Sequence, residues 1–262
     1  MAKERLDSLL VTMGLAETRQ KAKALIMAGA VLVDGEKITK AGTRADTAAE
    51  FRVLGSTCPF VSRGGIKLAH ALTEFRLTVS GDCCLDIGAS TGGFTDCLLQ
   101  QGATRVFCLD VGRGQLHWKL RTDPRVVVME KYNARYLDPD DFPAVTFRTV
   151  VMDLSFISLR LVLPPLRRLL DTRGASPSRV VCLVKPQFEA GRQEVGKGGI
   201  VRDAAVRERV MTELASFAAR SGYRVTGRTT SPVTGADGNV EYFLLLETED
   251  TFCKKPEPEK TA

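Results

Sequence analysis

Between residues 83 and 246 one pattern repeats: a short, nearly unbroken apolar run, then an amphipathic stretch at helical spacing. The apolar runs are Cys83–Ile87, Arg105–Asp110, Val126–Met129, Thr149–Asp153, Val180–Val184, Tyr223–Gly227 and Tyr242–Leu246. Segments such as Leu159–Leu170 and Ala204–Arg220 separate most of them. Strands that lack polar alternation must be covered on both faces, and intervening helices supply the cover. The pattern predicts an α/β domain with a mainly parallel, seven-stranded sheet whose short final pair forms an antiparallel edge. Ligands of such sheets bind beyond the carboxyl ends of the strands. Asp86, Asp110, Glu130 and Asp153 stand at those ends, so the functional weight is expected there.

The sharpest local signal follows the first of these strands, in Asp86-Ile87-Gly88-Ala89-Ser90-Thr91-Gly92-Gly93-Phe94-Thr95. It reads as a strand ending in an acid, a glycine-rich turn, and a helix beginning near Phe94. Glycine permits positive φ and lets a ligand lie against the main chain. Because Ala89 and Ser90 follow Gly88, the G-x-G-x-x-G dinucleotide fingerprint is absent, and no Gly-Lys-Ser/Thr follows to make a P-loop. Asp110, closing the second strand, can accept both hydroxyls of a ribose in charge-assisted hydrogen bonds.

The 262 residues carry a net charge of +6, a balance that suits a polyanionic partner without proving one. No apolar run approaches the roughly 18 residues of a membrane span, and Met1-Ala2-Lys3-Glu4-Arg5 lacks the apolar core of a secretory signal, so a cytoplasmic protein is expected. Seven cysteines, without C-x-x-C spacing, argue against a disulfide scaffold or a zinc site. No metal is expected.

The first 56 residues have a different texture. Leu6, Leu9, Leu10 and Met13 fall at helical spacing before Gly14; a second helix runs past Ala22, Leu25 and Ile26 to Gly29, with Arg19, Lys21 and Lys23 on its other face. Val31-Leu32-Val33, an Asp34-Gly35 turn and Lys37-Ile38 then signal a hairpin. This stretch resembles the S4 RNA-binding domain, a small α+β fold, through Arg5-Leu6-Asp7, Leu10-Val11, Gly14-Leu15, Thr18-Arg19, Ala22, Leu25-Ile26, Gly29, Val31, Val33-Asp34-Gly35 and Lys40. The resemblance implies recognition of structured RNA by shape and phosphate contacts, with Arg5, Arg19, Lys21 and Lys23 facing the RNA. Residues 57–63 read as a linker, 64–250 as the α/β domain, and 251–262, charged and proline-containing, as a disordered tail.

Together the Gly88–Gly93 turn and Asp110 resemble the S-adenosylmethionine site of class I, Rossmann-like methyltransferases. That resemblance implies that Asp86, Gly88, Ala89, Ser90, Thr91, Gly92, Gly93, Phe94 and Asp110 hold the cofactor, with Glu130 and Asn133 near its adenine. Methylation of an exocyclic base amine usually needs Asn/Asp-Pro-Pro-Tyr/Phe after the fourth strand, where this chain has Asp153-Leu154-Ser155-Phe156. Carbon-5 methylation of cytosine needs a nucleophilic cysteine beside proline, and the one Cys-Pro pair, Cys58-Pro59, falls in the linker. Both base chemistries lose ground. A ribose 2′-hydroxyl, a poor nucleophile at neutral pH, needs its proton taken, and a lysine whose ammonium is disfavoured by burial and neighbouring positive charge can take it. Lys185 follows the fifth strand, Asp153 the fourth; Lys67 opens the domain's first helix and Glu241 precedes the last strand.

This Lys–Asp–Lys–Glu set is similar to the tetrad of the FtsJ-like ribose 2′-O-methyltransferases. With the S4-like module in front, the whole chain from about residue 3 to 248 resembles the TlyA family, often labelled haemolysin A. The shared motifs include Ser62-Arg63-Gly64-Gly65-Ile66-Lys67-Leu68, Asp153-Leu154-Ser155-Phe156-Ile157-Ser158, Lys185-Pro186-Gln187-Phe188-Glu189 and Gly196-Lys197-Gly198-Gly199-Ile200-Val201. It implies 2′-O-methylation of cytidine in ribosomal RNA, in the small subunit and in some members also the large one. By that resemblance Lys67, Asp153, Lys185 and Glu241 are catalytic: Lys185 accepts the proton, Asp153 orients it, and Lys67 and Glu241 position the ribose. Arg63 and Lys197 are expected to meet RNA. Two alternatives stay open, a non-catalytic ribosome-binding assembly factor and, from the family label alone, a membrane-active haemolysin. The oligomeric state is left open.

Overall fold

The computed structural model describes residues 3–16, 18–54, 58–235 and 237–248; the tail expected to be disordered lies outside the described residues. The chain divides into two compact units, Met1–Thr57 and Cys58–Ala262.

In the first unit, helices α1 (Leu6–Thr12) and α2 (Arg19–Met27) bury Leu6, Leu9, Leu10, Ala22 and Ile26 in a common core with Val31. Thr18 caps α2, its hydroxyl accepting from the Lys21 amide at 3.2 Å. Strand β1 (Lys3–Arg5) pairs with β4 (Arg44–Asp46), and β2 (Val31–Val33) is flanked by β3 (Glu36–Ile38) and β5 (Phe51–Val53). Asp34 and Gly35, both at positive φ, make the β2–β3 turn. The two helices and the hairpin are as expected; β1, β4 and β5, at three residues each, are too short to show periodicity.

Arg5 and Arg19, two of the residues expected to face RNA, converge on the buried carboxylate of Asp7. Arg5 Nε and Nη2 donate at 3.0 and 3.1 Å, and Arg19 Nη2 at 3.1 Å. Hydrogen bonds from Arg5 first, then Arg19, hold the Asp7 carboxyl down at about 2. A carboxyl depressed on folding contributes stability above its unfolded value of about 3.9 and loses it as pH falls toward 2. Asp7→Asn is expected to remove that acid-side slope, measured as the pH dependence of Leu10 and Ile26 amide exchange in the whole chain.

The second unit follows α3 (Arg63–Glu74) with β6 (Cys83–Ile87), α4 (Gly93–Gln100), β7 (Arg105–Asp110), α5 (Trp118–Arg121), β8 (Val126–Glu130), β9 (Phe147–Met152), α6 (Leu163–Arg173), β10 (Gly174–Val184), α7 (Pro186–Glu189), α8 (Ala204–Arg220), β11 (Tyr223–Thr230) and β12 (Tyr242–Thr248). The sheet order is β11-β12-β10-β9-β6-β7-β8, with β6 to β10 parallel. Leu163, Leu166 and Leu169 of α6 and Met211 and Leu214 of α8 cover one face; Leu68 and Leu72 of α3 and Phe94 and Leu98 of α4 cover the other. The expected antiparallel edge pair is present as β11 and β12; of the two, only β12 runs against the rest of the sheet, and it lies between β10 and β11. Burial explains it, because Phe243–Leu246 are buried without a break whereas β11 alternates in the manner of an edge strand. The helix expected over 159–170 is divided. A 3₁₀ turn at Leu159–Leu161 precedes α6, whose first turn holds Pro164 and Pro165.

Residues 58–62, expected within a linker, are fastened to the second unit. The Val61 amide donates to Asp96 at 2.8 Å and Gln100 Nε2 to the Pro59 carbonyl at 2.9 Å, both acceptor and donor side chains lying on α4. At the opposite end of the sheet from the glycine turn, buried Asp82 accepts from Arg179 Nη2 at 2.5 Å and Thr149 Oγ1 at 2.7 Å.

Candidate active site

The site is built on the turn between β6 and α4. The amides of Gly88 and Ala89 donate to the Leu109 carbonyl at 2.8 and 3.0 Å, pinning the turn to the end of β7. Gly88 has φ +86°, and a Cβ there would stand 2.5 Å from the Asp153 carbonyl oxygen. Gly88 is therefore what lets the first and fourth strand ends close on each other. Gly92 also has positive φ, but it packs against Leu116 and Leu120 and lines neither of the two main cavities.

Those cavities adjoin and share Gly88, Ser90, Asp153 and Ser155. The larger, about 700 Å³, is walled by Ile87, Leu109, Val111, Leu154, Ile157 and Leu161, with Asp110 and Asn133 among its polar groups. Asp110 accepts one backbone hydrogen bond on each oxygen, from Ser90 at 2.8 Å and Gly112 at 2.7 Å, so each oxygen keeps acceptor capacity. The smaller cavity, about 260 Å³, is polar and basic, lined by Ser62, Arg63, Gly64, Lys67, Ala89, Thr91, Gly93, Phe94, Lys185 and Thr234 besides the shared four.

Lys185 Nζ lies 2.7 Å from Asp153 Oδ1 and donates to Ser155 Oγ at 2.8 Å. The first contact is an ion pair without hydrogen-bond geometry, since Asp153 Oδ1 has no donor among the described residues. Lys67 Nζ donates to Glu241 Oε2 at 2.5 Å, with both residues buried and 174 positions apart. The four residues expected as one ordered set thus stand as two ion pairs. Arg63 lines the same cavity and donates to the Thr234 carbonyl at 3.0 Å. Lys197 is exposed on a tight Gly196–Ile200 loop, which Asn239 holds through the Gly199 carbonyl and the Val201 amide. Lys21 and Lys23 are exposed on α2.

Besides Gly92, two expected cofactor contacts sit outside both cavities. Glu130 lies outside the large cavity, ion-paired with Arg121 and accepting from the Gly114 amide at 2.8 Å. Distance explains this: as the register partner of Asp110 it shares that residue's face of the sheet but stands one strand farther out. Asp86 lies beneath the turn, fully buried, outside both cavities. Its Oδ2 accepts from Thr95 Oγ1 at 2.6 Å, while Oδ1 has no partner among the described residues. Alternation along β6 turns it to the side of Cys84, toward α4. Several cavity residues carried no sequence signal, among them Val111, Tyr132 and Arg135; Phe156, within the Asp153–Ser158 motif, is 91% exposed at φ +64°, its ring 5.2 Å from that of Phe188.

Burial above all, with Asp153 and Asp110 adding to it, pushes the Asp86 carboxyl up to about 7. A carboxyl raised on folding gives stability that is fully present below its unfolded value of about 3.9 and is lost as pH rises through 7. Asp86→Asn is expected to flatten the decline of Tm between pH 5 and 8; an unchanged slope would show that another group sets it.

Comparison with known proteins agrees with this architecture. The FtsJ-like methyltransferase family matches residues 60–248, and the S4 domain family matches residues 4–50. A relative from Mycobacterium tuberculosis, named 16S/23S rRNA (cytidine-2′-O)-methyltransferase TlyA, is 48% identical over 94% of this chain and 90% of its own. Hemolysin A of Brachyspira hyodysenteriae is 42% identical over 91% of this chain and 97% of its own. A solved structure from Streptococcus thermophilus, described as a hemolysin, superposes with a TM-score of 0.75 at 46% identity, over 95% of this chain and 90% of that one. No helix among the described residues is long and apolar enough to cross a membrane. The chain belongs to the FtsJ-like methyltransferase family and carries an S4 domain ahead of its methyltransferase domain.

Proposed function

We propose that this protein transfers a methyl group from S-adenosylmethionine to the 2′-hydroxyl of cytidine in ribosomal RNA, on the small subunit and also the large one, in the cytoplasm. The observation that carries the reading is the junction of the two cavities at Gly88 and Asp153. The larger cavity fits the cofactor: its volume and apolar walls suit an adenosyl group, Asp110 has acceptor capacity for ribose hydroxyls, and Gly88 leaves main chain open. Asn133 stands there for the adenine. The smaller cavity presents Lys67, Lys185 and Arg63 to a polyanionic chain.

When bound, S-adenosylmethionine supplies an electrophilic methyl group. Lys185 Nζ, once its ammonium has released a proton to solvent, takes the proton of the 2′-hydroxyl, and Asp153, 2.7 Å away, neutralises the ammonium thus restored. Ser155 Oγ, accepting at 2.8 Å, fixes where that nitrogen points. Lys67, held by Glu241, is a fixed cation that positions the ribose and its phosphate. The S4 domain, with Arg5, Arg19, Lys21 and Lys23, docks structured RNA, and Arg63 and Lys197 add phosphate contacts. The substrate assignment draws on the name of the Mycobacterium tuberculosis relative.

Tritiated methyl transfer to isolated ribosomal subunits, followed by mapping of the labelled sites, tests the reading. Label in cytidine ribose is expected; subunit binding without label would leave an assembly factor, and lysis of lipid vesicles by the pure protein would favour the haemolysin name. Asp110→Ala removes charged acceptors and is expected to weaken S-adenosylmethionine binding by about 10- to 100-fold, from about 1.5–3 kcal/mol per hydrogen bond to a charged group. Calorimetric titration measures it.

A further inference from the structure

The ion pair of Lys185 and Asp153 is carried by two loops, one leaving β9 and the other leaving β10. Neither side chain stands inside a strand or helix. Between the loops lies a carboxylate that lines neither cavity, that of Glu189 on α7. Its side chain is 2% exposed. Oε1 accepts from the Leu159 amide at 2.6 Å and Oε2 from Ser158 Oγ at 2.7 Å, with Arg160 Nε 3.9 Å away. A carboxylate buried so deeply is costly unless its oxygens are satisfied, and both are satisfied by the opposite loop. Two further contacts join the same loops: Lys185 Nζ to Ser155 Oγ at 2.8 Å, and the rings of Phe156 and Phe188 at 5.2 Å. Arg160 extends the connection, donating to Glu213 of α8 at 3.1 Å.

We propose that Glu189 is a positioning residue for methyl transfer, its carboxylate setting the register between the loop that carries Asp153 and the turn that carries Lys185. The proposal rests on the reading that those two residues act on the ribose hydroxyl. An apolar side chain of similar volume would fill the space but leave the Leu159 amide without its acceptor, and the loops without a fixed spacing. Displacement of reacting groups by about 1 Å can cost about 10²-fold in rate. Glu189 itself lines neither cavity, so the loss is expected chiefly in the chemical step.

Methyl transfer at saturating subunits, S-adenosylmethionine affinity and Tm are measured on the full chain carrying Glu189→Ala, Glu189→Asp or Glu189→Gln. Alanine and aspartate, which remove or retract the acceptor, are expected to lower kcat by about 10- to 100-fold, with KM for subunits and cofactor affinity within about twofold of wild type. Glutamine keeps the length and an oxygen for Leu159, and is expected to restore kcat to within about threefold. A folded alanine variant with kcat within twofold of wild type overturns the proposal, as does a loss that appears equally in cofactor affinity. If the alanine variant does not fold, the other two decide: aspartate at least fivefold below glutamine supports the clamp, and equal values overturn it. Lys185→Ala separates the two levels of the argument. Wild-type transfer in that variant sinks the catalytic reading itself, whereas an inactive Lys185→Ala beside a fully active Glu189→Ala sinks the clamp alone.

Discussion

Lys185→Ala is expected to lower methyl transfer to ribosomal subunits by about 10²–10⁴-fold, the usual contribution of a positioned general base. The substitution removes the one amine that meets both Asp153 and Ser155 at the junction of the two cavities. The larger cavity keeps all its lining residues, since Lys185 lines only the smaller one. Cofactor affinity is therefore expected to hold within about twofold, and subunit binding, carried mostly by other basic groups, to fall only slightly. Single-turnover transfer with tritiated cofactor measures the first quantity and equilibrium dialysis the second. A variant that transfers at the wild-type rate removes Lys185 from the chemistry. One that loses cofactor binding in parallel shows instead that the strand end has collapsed.

The largest expected effect on stability lies at the other end of the sheet. Asp82→Ala is expected to cost up to about 3–5 kcal/mol, the range for stripping one partner from a buried ion pair, with Asp82 buried and Arg179 partly so. Arg179 would keep its guanidinium among Thr149 and the strand ends with its 2.5 Å acceptor gone, and Thr149 Oγ1 would lose its own. In a domain of this size that corresponds to a fall of about 6–20 °C in Tm. The double replacement Asp82→Ala with Arg179→Met is expected to recover most of the loss, because the cost comes from the orphaned cation rather than from the missing attraction. Thermal unfolding of the three chains decides it: a double variant no more stable than Asp82→Ala would locate the cost elsewhere.

Where periodicity and composition act over many residues, the sequence was a sound guide. Seven apolar runs became seven strands, Ala204–Arg220 became a helix with those bounds, and the glycine turn landed at the first strand end. Contacts that depend on the pleat were harder to see. Asp86 and Asp110 both close strands and share one face of the sheet, but Asp86 is level with Cys108, two residues short of Asp110, so it ends beneath α4 while Asp110 reaches the cavity. Glu130 shares the strand-end position but is claimed by Arg121, nine positions away. The place of β12 was legible in principle from the unbroken burial of Phe243–Leu246, since an edge strand has no use for two apolar faces. Pairing across 174 positions, as between Lys67 and Glu241, leaves no local trace at all.

That last pairing also dates the enzyme's maturation. The strand that follows Glu241 is the last in chain order among the described residues, yet it occupies the interior of the sheet. The S4 unit, complete by Thr57, can fold as soon as it leaves the ribosome. At about 5–20 residues per second, its first appearance precedes synthesis of the closing strand by about 10–40 s. For that interval the nascent chain has an RNA-docking unit and no assembled chemistry, so binding competence is born first and activity arrives with the last strand.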